Sequence, residues 1–445
     1  MKKFAEKLTK FATIINSMKY IIVIKNAFAA MLPLLITGAF ATLISNMVFG
    51  TDAGLASFSA LSFLADLKPI TDAINYAALN ILTISAVFLI GSELAKLNNL
   101  SGAFPGLLAV ISYIAVIPTT IDVEVNEETV NVVNVIARQF TNAQGLFLGM
   151  FIAIVSVELF SWLLKQDKLR IKMPDSVPSN VARSFSNLIP TILTVTIIAT
   201  GGFIVKAITG LTLYDIIYTV VQRPLQMIVS GLPGVLLLML TAQLFWVIGI
   251  HGNQMIKPIR EPILLGAIAA NMEAFNAGEP IPYIINMPFW DIYMTVGGSG
   301  MTLGLIIAIF LASKREDFRA IAKLSSIPAI FNINEPIIFG LPIVLNPILA
   351  IPFILVPLVN GVIAYFLTAI GFAGPAVVMI PWTTPAIISS YLATAGNIGA
   401  VITQIICIIV SVLIYLPFVK IADRQARLRE EKELQDGNLP ETANA

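Results

Sequence analysis

The chain has a single cysteine, Cys407, a single histidine, His251, and charged side chains at only 12% of its 445 residues. One cysteine excludes an internal disulfide and any multi-cysteine metal site, and one histidine excludes a clustered histidine site within one chain. A soluble domain is about 25% charged and needs that polarity to cover its surface. The formal net charge of +1 gives no general attraction for nucleic acid. No Gly-rich phosphate cradle of the P-loop type occurs, so ATP-driven pumping by this chain alone is unsupported. What is present is apolar: 57% of residues are hydrophobic and the mean hydropathy is +0.87.

The apolar residues fall in runs long enough to cross a bilayer as helix, which takes about 20 residues each. Runs occur near 27–50, 73–95, 103–121, 143–164 and 189–209, then near 233–250, 299–313, 350–371 and 398–419. Residues 1–18 place Phe4, Leu8, Phe11 and Ile15 at helical spacing, with Lys2, Lys3, Lys7 and Lys10 mostly opposite. That pattern predicts an amphipathic helix lying on the membrane surface. Lys19 and Lys25 interrupt any cleavable signal peptide. Residues 165–183 carry Lys165, Lys168, Arg170, Lys172 and Arg183, whereas 122–142 carry Asp122, Glu124, Glu127 and Glu128 against Arg138 alone. The excess of positive charge in cytoplasmic loops then puts both termini and 165–183 in the cytoplasm and the acidic segment outside. Residues 211–232 read as an interfacial linker.

The second half is less regular. Residues 251–298 are too polar and too rich in glycine and proline for a plain span, and 326–349 and 374–397 are broken by prolines and glycines. Irregular backbone at membrane depth survives only where protein or water satisfies its polar groups, so these stretches are expected to line a cavity as re-entrant hairpins or broken helices. Glu261-Pro262-Ile263-Leu264-Leu265-Gly266 echoes Glu335-Pro336-Ile337-Ile338-Phe339-Gly340, which would suit a pair of helix starts with proline in the first turn. The expected fold is an all-α integral membrane protein of about ten transmembrane helices, with re-entrant segments and interfacial amphipathic helices.

Ionisable groups at membrane depth are costly and usually serve a site. The strongest constellation is Gly249-Ile250-His251-Gly252-Asn253 with Asn332-Ile333-Asn334-Glu335-Pro336. Glu335 could accept hydrogen bonds from sugar hydroxyls, and His251 both donates and accepts near neutral pH. Its flanking glycines would let backbone and ligand approach closely. Asn253, Gln254, Lys257 and Asn334 are further candidate sugar contacts, and Trp246, Trp290 and Trp382 are candidates for stacking on the rings. Lys257 could equally belong to an internal ion pair, and the tryptophans to the interfacial aromatic belt. Cys407 sits in a wholly apolar helix and reads as packing. No metal or cofactor is called for.

Two motifs, Phe245-Trp246-Val247-Ile248-Gly249-Ile250-His251-Gly252-Asn253 and Phe331-Asn332-Ile333-Asn334-Glu335-Pro336-Ile337-Ile338-Phe339-Gly340, carry a resemblance. In this order within one polytopic chain, they resemble the membrane-embedded IIC component of the bacterial phosphotransferase system, in its lactose/cellobiose/diacetylchitobiose family. The resemblance covers nearly the whole chain. It implies ten transmembrane helices with two re-entrant hairpins in a bacterial cytoplasmic membrane, a homodimer made by an N-terminal domain (1–225), a sugar-binding domain (226–425) and a cytoplasmic tail (426–445). It further implies that a β-linked disaccharide enters from outside and is released as its 6-phosphate, the phosphoryl group coming from the phosphocysteine of a cytoplasmic IIB partner. By motif match, Glu335 and His251 would hold the hydroxyl to be phosphorylated. The rival reading is an ion-coupled secondary sugar transporter in which Glu335 or Asp291 carries a proton or helps hold Na⁺.

Overall fold

The computed structural model describes residues 17–435, apart from 52, 53, 126, 127, 170, 172, 173, 175, 176, 342 and 344–346. The surface helix expected at 1–18 lies, but for its last two positions, outside the described residues, and so does the end of the tail. The chain is mostly helical, because a helix satisfies every backbone polar group within its own segment and lipid offers no alternative partner. Helices α1 (Lys19–Leu43), α2 (Lys68–Asn80), α3 (Leu82–Leu97) and α4 (Ala103–Ile114) come first. A hairpin of β1 (Thr120–Val125) and β2 (Glu128–Val133) follows, then α5 (Leu146–Leu164) and α6 (Ser179–Thr209). Next are α7 (Leu232–Val247), α8 (Gly252–Ala277), α9 (Thr302–Ala312) and α10 (Glu316–Ile330). The short α11 (Glu335–Gly340), α12 (Pro347–Ala369), the short α13 (Ile388–Ala393) and α14 (Ile398–Gln435) complete the order.

Six helices among the described residues are long and apolar enough to cross a membrane: Lys19–Val48, Ala143–Leu164, Val181–Thr209, Met287–Ala312, Ile348–Ala369 and Ile398–Gln425. A pair bent by 46°, Ser59–Asn80 with Leu82–Leu97, makes a seventh if read as one broken span. Residues 213–229, expected as an interfacial linker, form three short helical pieces opened by a capping box between Thr212 and Asp215.

The expectation of an all-α chain needs one correction. The acidic segment contains an antiparallel hairpin, because Thr120–Val125 and Glu128–Val133 alternate β-branched and polar residues at a period of two. Ile121 faces Val132 and Val123 faces Val130 on one side, while Asp122 faces Asn131 and Glu124 faces Thr129 on the other. The Asn131 amide donates to the Asp122 carboxylate at 2.6 Å.

The chain divides into two compact units. One runs through Gly231 and takes in Lys257–Tyr283; the other holds Leu232–Ile256 and everything from Ile284 onward. In the first, α3, α4 and α5 pack closely where side chains are small: a Cβ on Gly149 would stand 2.8 Å from Val87 and 2.9 Å from Thr83, the close-approach geometry that holds helices together in lipid. In the second, polar cross-links join spans. Asn360 donates to the Ser411 hydroxyl at 2.8 Å and Gln404 to the Ile292 carbonyl at 2.7 Å.

Helix α8 departs from its sequence reading. Its 26 residues are continuous despite Pro258 and Pro262 inside it, so the polar stretch is not a broken segment over this range. Each proline removes one backbone hydrogen bond, and the charged side chains find partners in the first unit. Lys257 pairs with Glu261 at 3.3 Å. Glu273 takes Arg138 at 3.1 Å and both of its oxygens accept from Asn142, at 3.1 and 2.8 Å. Asn276 donates to Asn75 at 2.9 Å. The Glu-Pro echo fails for the same reason: Glu335-Pro336 opens a helix, whereas Glu261-Pro262 lies inside one.

Candidate functional site

His251 stands at a sharp junction between two helices. Helix α7 ends when the Gly249 amide bonds the Trp246 carbonyl at 2.9 Å and the Ile250 amide bonds the Phe245 carbonyl at 3.0 Å. This paired closure needs a left-handed residue after the helix, and Gly249 supplies it with φ +86°. His251 then caps α8, its carbonyl accepting from the amides of Gln254 at 3.1 Å and Met255 at 3.3 Å. A Cβ on Gly252 would lie 1.8 Å from the Ala242 carbonyl oxygen. The two glycines, read from sequence as room for a ligand, instead serve the turn and the approach of α8 to α7. The imidazole of His251 rests on the Trp246 ring, with centroids 4.3 Å apart at 43°.

Glu335 opens α11 immediately before Pro336, and Asn334 precedes it. A carboxylate in a first helical turn sits favourably against the partial positive charge there. The Glu335 Oε1 is 3.8 Å from the His251 Nε2, and the two side chains keep 48% and 42% of their exposure. The pair is therefore within reach of each other and of a ligand, with neither sealed in.

A glycine-rich loop between them fixes this geometry. Gly297, Gly298 and Gly300 all have positive φ, and the loop is pinned by the Tyr415 hydroxyl donating to the Gly300 carbonyl at 2.6 Å and by the Thr302 hydroxyl donating to the Gly297 carbonyl. Ser299, in its middle, takes one asparagine from each motif. Its hydroxyl accepts from Asn253 Nδ2 and its carbonyl from Asn334 Nδ2, both at 2.9 Å. Asn253 is two residues past His251 and Asn334 is one before Glu335, so Ser299 ties the two helix starts together. The Asn253 Oδ1 is buried with no protein partner. Sequence reading missed Ser299; the Gly-Gly-Ser-Gly run at 297–300, set between apolar stretches, was the available signal.

The structure sorts the remaining candidates. Trp246, 2% exposed, is the floor under His251, and Trp290 is fully buried. Trp382 keeps 54% of its surface exposed and is bound through its carbonyl to the Asn332 amide at 2.6 Å, within the same unit as His251 and Glu335. Gln254 is exposed in the first turn of α8. Lys257 belongs to the other unit, where it pairs with Glu261. Cys407 is buried, its thiol directed at the Asn360 carbonyl at 3.9 Å.

A family model, the phosphotransferase system EIIC, matches residues 25–357. The oligo-beta-mannoside-specific EIIC component of Bacillus subtilis (strain 168) is 34% identical over 434 residues, covering 97% of this chain and 96% of that protein. A cellobiose-specific EIIC component from Geobacillus stearothermophilus is 32% identical over 362 residues, 80% of each. The crystal structure of the transporter ChbC, the IIC component of an N,N'-diacetylchitobiose-specific phosphotransferase system, matches with a TM-score of 0.88 at 32% identity. That match covers 96% of this chain and 99% of the other. With both motifs intact and likeness running along nearly the whole length, this multi-pass membrane protein belongs to the EIIC family, the membrane components of the sugar phosphotransferase system.

Proposed function

We propose that this chain carries a β-linked disaccharide of the cellobiose or diacetylchitobiose type across the membrane, coupled to 6-phosphorylation by a IIB partner. The observation that carries the assignment of the site is the His251–Glu335 pair, 3.8 Å apart and half-exposed at two helix starts. Phosphoryl transfer asks the acceptor side for positioning and charge management rather than covalent work. In this reading Glu335 accepts the proton of the sugar hydroxyl as general base. The hydroxyl oxygen attacks the phosphorus on the IIB cysteine, and the sulfur–phosphorus bond breaks to leave the thiolate. His251, backed by Trp246, holds the same hydroxyl. Trp382 offers the face on which a sugar ring stacks, and Asn253 and Gln254 flank the pair. Cys407, buried among apolar residues, is not the phosphoryl carrier.

We read ten spans by taking the six longer helices together with the bent pair, the two shorter apolar helices Ala103–Ile114 and Leu232–Val247, and Gly252–Ala277. In this reading the non-helical backbone at 372–387 belongs to a re-entrant segment. Both termini are placed in the cytoplasm by the basic loops.

The test is binding of radiolabelled cellobiose, diacetylchitobiose and lactose to purified protein, wild type beside Glu335→Ala. Micromolar binding of one disaccharide, lost in the variant, is the expected result. Failure of well-folded protein to bind any of them overturns the substrate assignment. Uptake that collapses with an uncoupler and accumulates unmodified sugar favours an ion-coupled transporter instead.

A further inference from the structure

Asn332 belongs to the second motif, yet the chemistry above gives it no part. Its backbone is left-handed, at φ +62°, a region that asparagine tolerates better than other side chains with a Cβ. The side chain uses all of its main hydrogen-bonding capacity. Its Oδ1 accepts from the Gly297 amide at 2.7 Å. Its Nδ2 donates to the carbonyls of Trp382 at 2.6 Å and Thr384 at 3.2 Å. Aspartate lacks the donors, glutamine is one methylene longer, and glycine lacks the side chain.

One amide thus joins three separate pieces of chain. The first is the glycine loop whose Ser299 holds both motif asparagines. The second is the turn that leads, three residues on, to Glu335. The third is Pro381-Trp382-Thr383-Thr384-Pro385, closed on itself by the Thr384 amide to the Pro381 carbonyl at 2.9 Å. The Trp382 ring, more than half exposed, is only partly held by packing, so its place follows from its backbone.

We propose that Asn332 is a positioning residue that fixes the Trp382 ring relative to the Glu335 carboxylate and so decides which sugar hydroxyl meets that carboxylate. This rests on the sugar-phosphorylating reading of the site. A ring stacked on Trp382 presents its hydroxyls at set distances, and a displacement of about 1 Å between stacking face and base costs on the order of 100-fold in rate.

The experiment is a double-mutant cycle read by formation of sugar phosphate, with wild type, Asn332→Asp, Trp382→Ala and the double variant supplied with phosphorylated IIB and disaccharide over a range of concentrations. Asn332→Asp keeps the acceptor for Gly297 and the tolerance of left-handed backbone while losing both donors. It is expected to lower kcat/KM about 100-fold, more through kcat than through sugar binding, with phosphate appearing at more than one sugar position by NMR. In the Trp382→Ala background the same change is expected to cost less than about threefold, the effect having been transmitted through Trp382. Fully multiplicative losses, or wild-type kinetics for Asn332→Asp, overturn the proposal. If Asn332→Asp does not fold, Asn332→Gly, which relieves the left-handed strain, takes its place in the cycle. Failure of both to fold shows that the amide is needed for folding alone. Wild-type activity of Trp382→Ala beside an inactive Glu335→Gln rejects this inference and leaves the proposed function standing, whereas activity in both rejects the function.

Discussion

Replacing Glu335 by glutamine removes a carboxylate charge while preserving size and hydrogen-bonding reach, so it separates chemistry from folding. Its partner, His251, lies at 3.8 Å, and both side chains keep close to half of their exposure. A contact that wet is worth at most about 1 kcal/mol even with the imidazole charged, small against the roughly 5–15 kcal/mol that keeps a domain folded. The melting temperature should therefore hardly move. Sugar binding exchanges a charge-assisted hydrogen bond of about 1.5–3 kcal/mol for a neutral one of about 0.5–1.5 kcal/mol, which predicts about 5- to 10-fold weaker affinity. Turnover loses a general base, worth about 10²–10⁴-fold. The assay is formation of sugar 6-phosphate by vesicles supplied with phosphorylated IIB, run beside radiolabelled sugar binding and a thermal melt of the same preparation. A variant that binds, melts normally and no longer phosphorylates agrees with the assignment. Coupled uptake above a tenth of wild type would refute the role of Glu335, and equal losses in binding and turnover would make it a binding residue only.

Other substitutions probe the frame of the site. Gly252→Ala would put a Cβ 1.8 Å from the Ala242 carbonyl oxygen, forcing α8 and the adjoining His251 to shift; sugar phosphorylation should fall by about 100-fold, and an unchanged rate would contradict the packing described. Ser299→Ala removes the acceptor of Asn253 and should cost about 1–3 kcal/mol, visible as a lower melting temperature together with weaker sugar binding. Glu273→Ala strips the buried Asn142 amide of its acceptor and removes the carboxylate from Arg138, for a loss of about 1–3 kcal/mol. Arg138→Ala removes both the cation beside Glu273 and the donor to the buried Asn80 side-chain oxygen, for a loss of about 1–3 kcal/mol. Wild-type melting temperatures for both of these variants would show that the network does not stabilise the fold.

The class of the protein was legible in its sequence, because continuous apolar runs of about 20 residues satisfy their own backbone in lipid as helices. The long runs at 143–164, 350–371 and 398–419 became spans near their expected places. His251 and Glu335 drew attention in the sequence because an ionisable group at membrane depth seldom stands there without a task, and the fold sets the two side chains 3.8 Å apart. What sequence could not decide was set by partners far away in the chain. The polarity of 251–298 suggested a broken segment, but over Gly252–Ala277 Arg138, Asn142 and Asn75 take up charges and amides of a continuous α8. Three tryptophans looked alike as stacking faces; packing buried Trp290, set Trp246 beneath His251 and left Trp382 open. Asn332 stood within the second motif without a role of its own, and Ser299 lay in neither motif. Their roles depend on which carbonyls and amides lie within 3 Å or so of them, and only the tertiary fold brings residues 253, 299, 334 and 382 into that range.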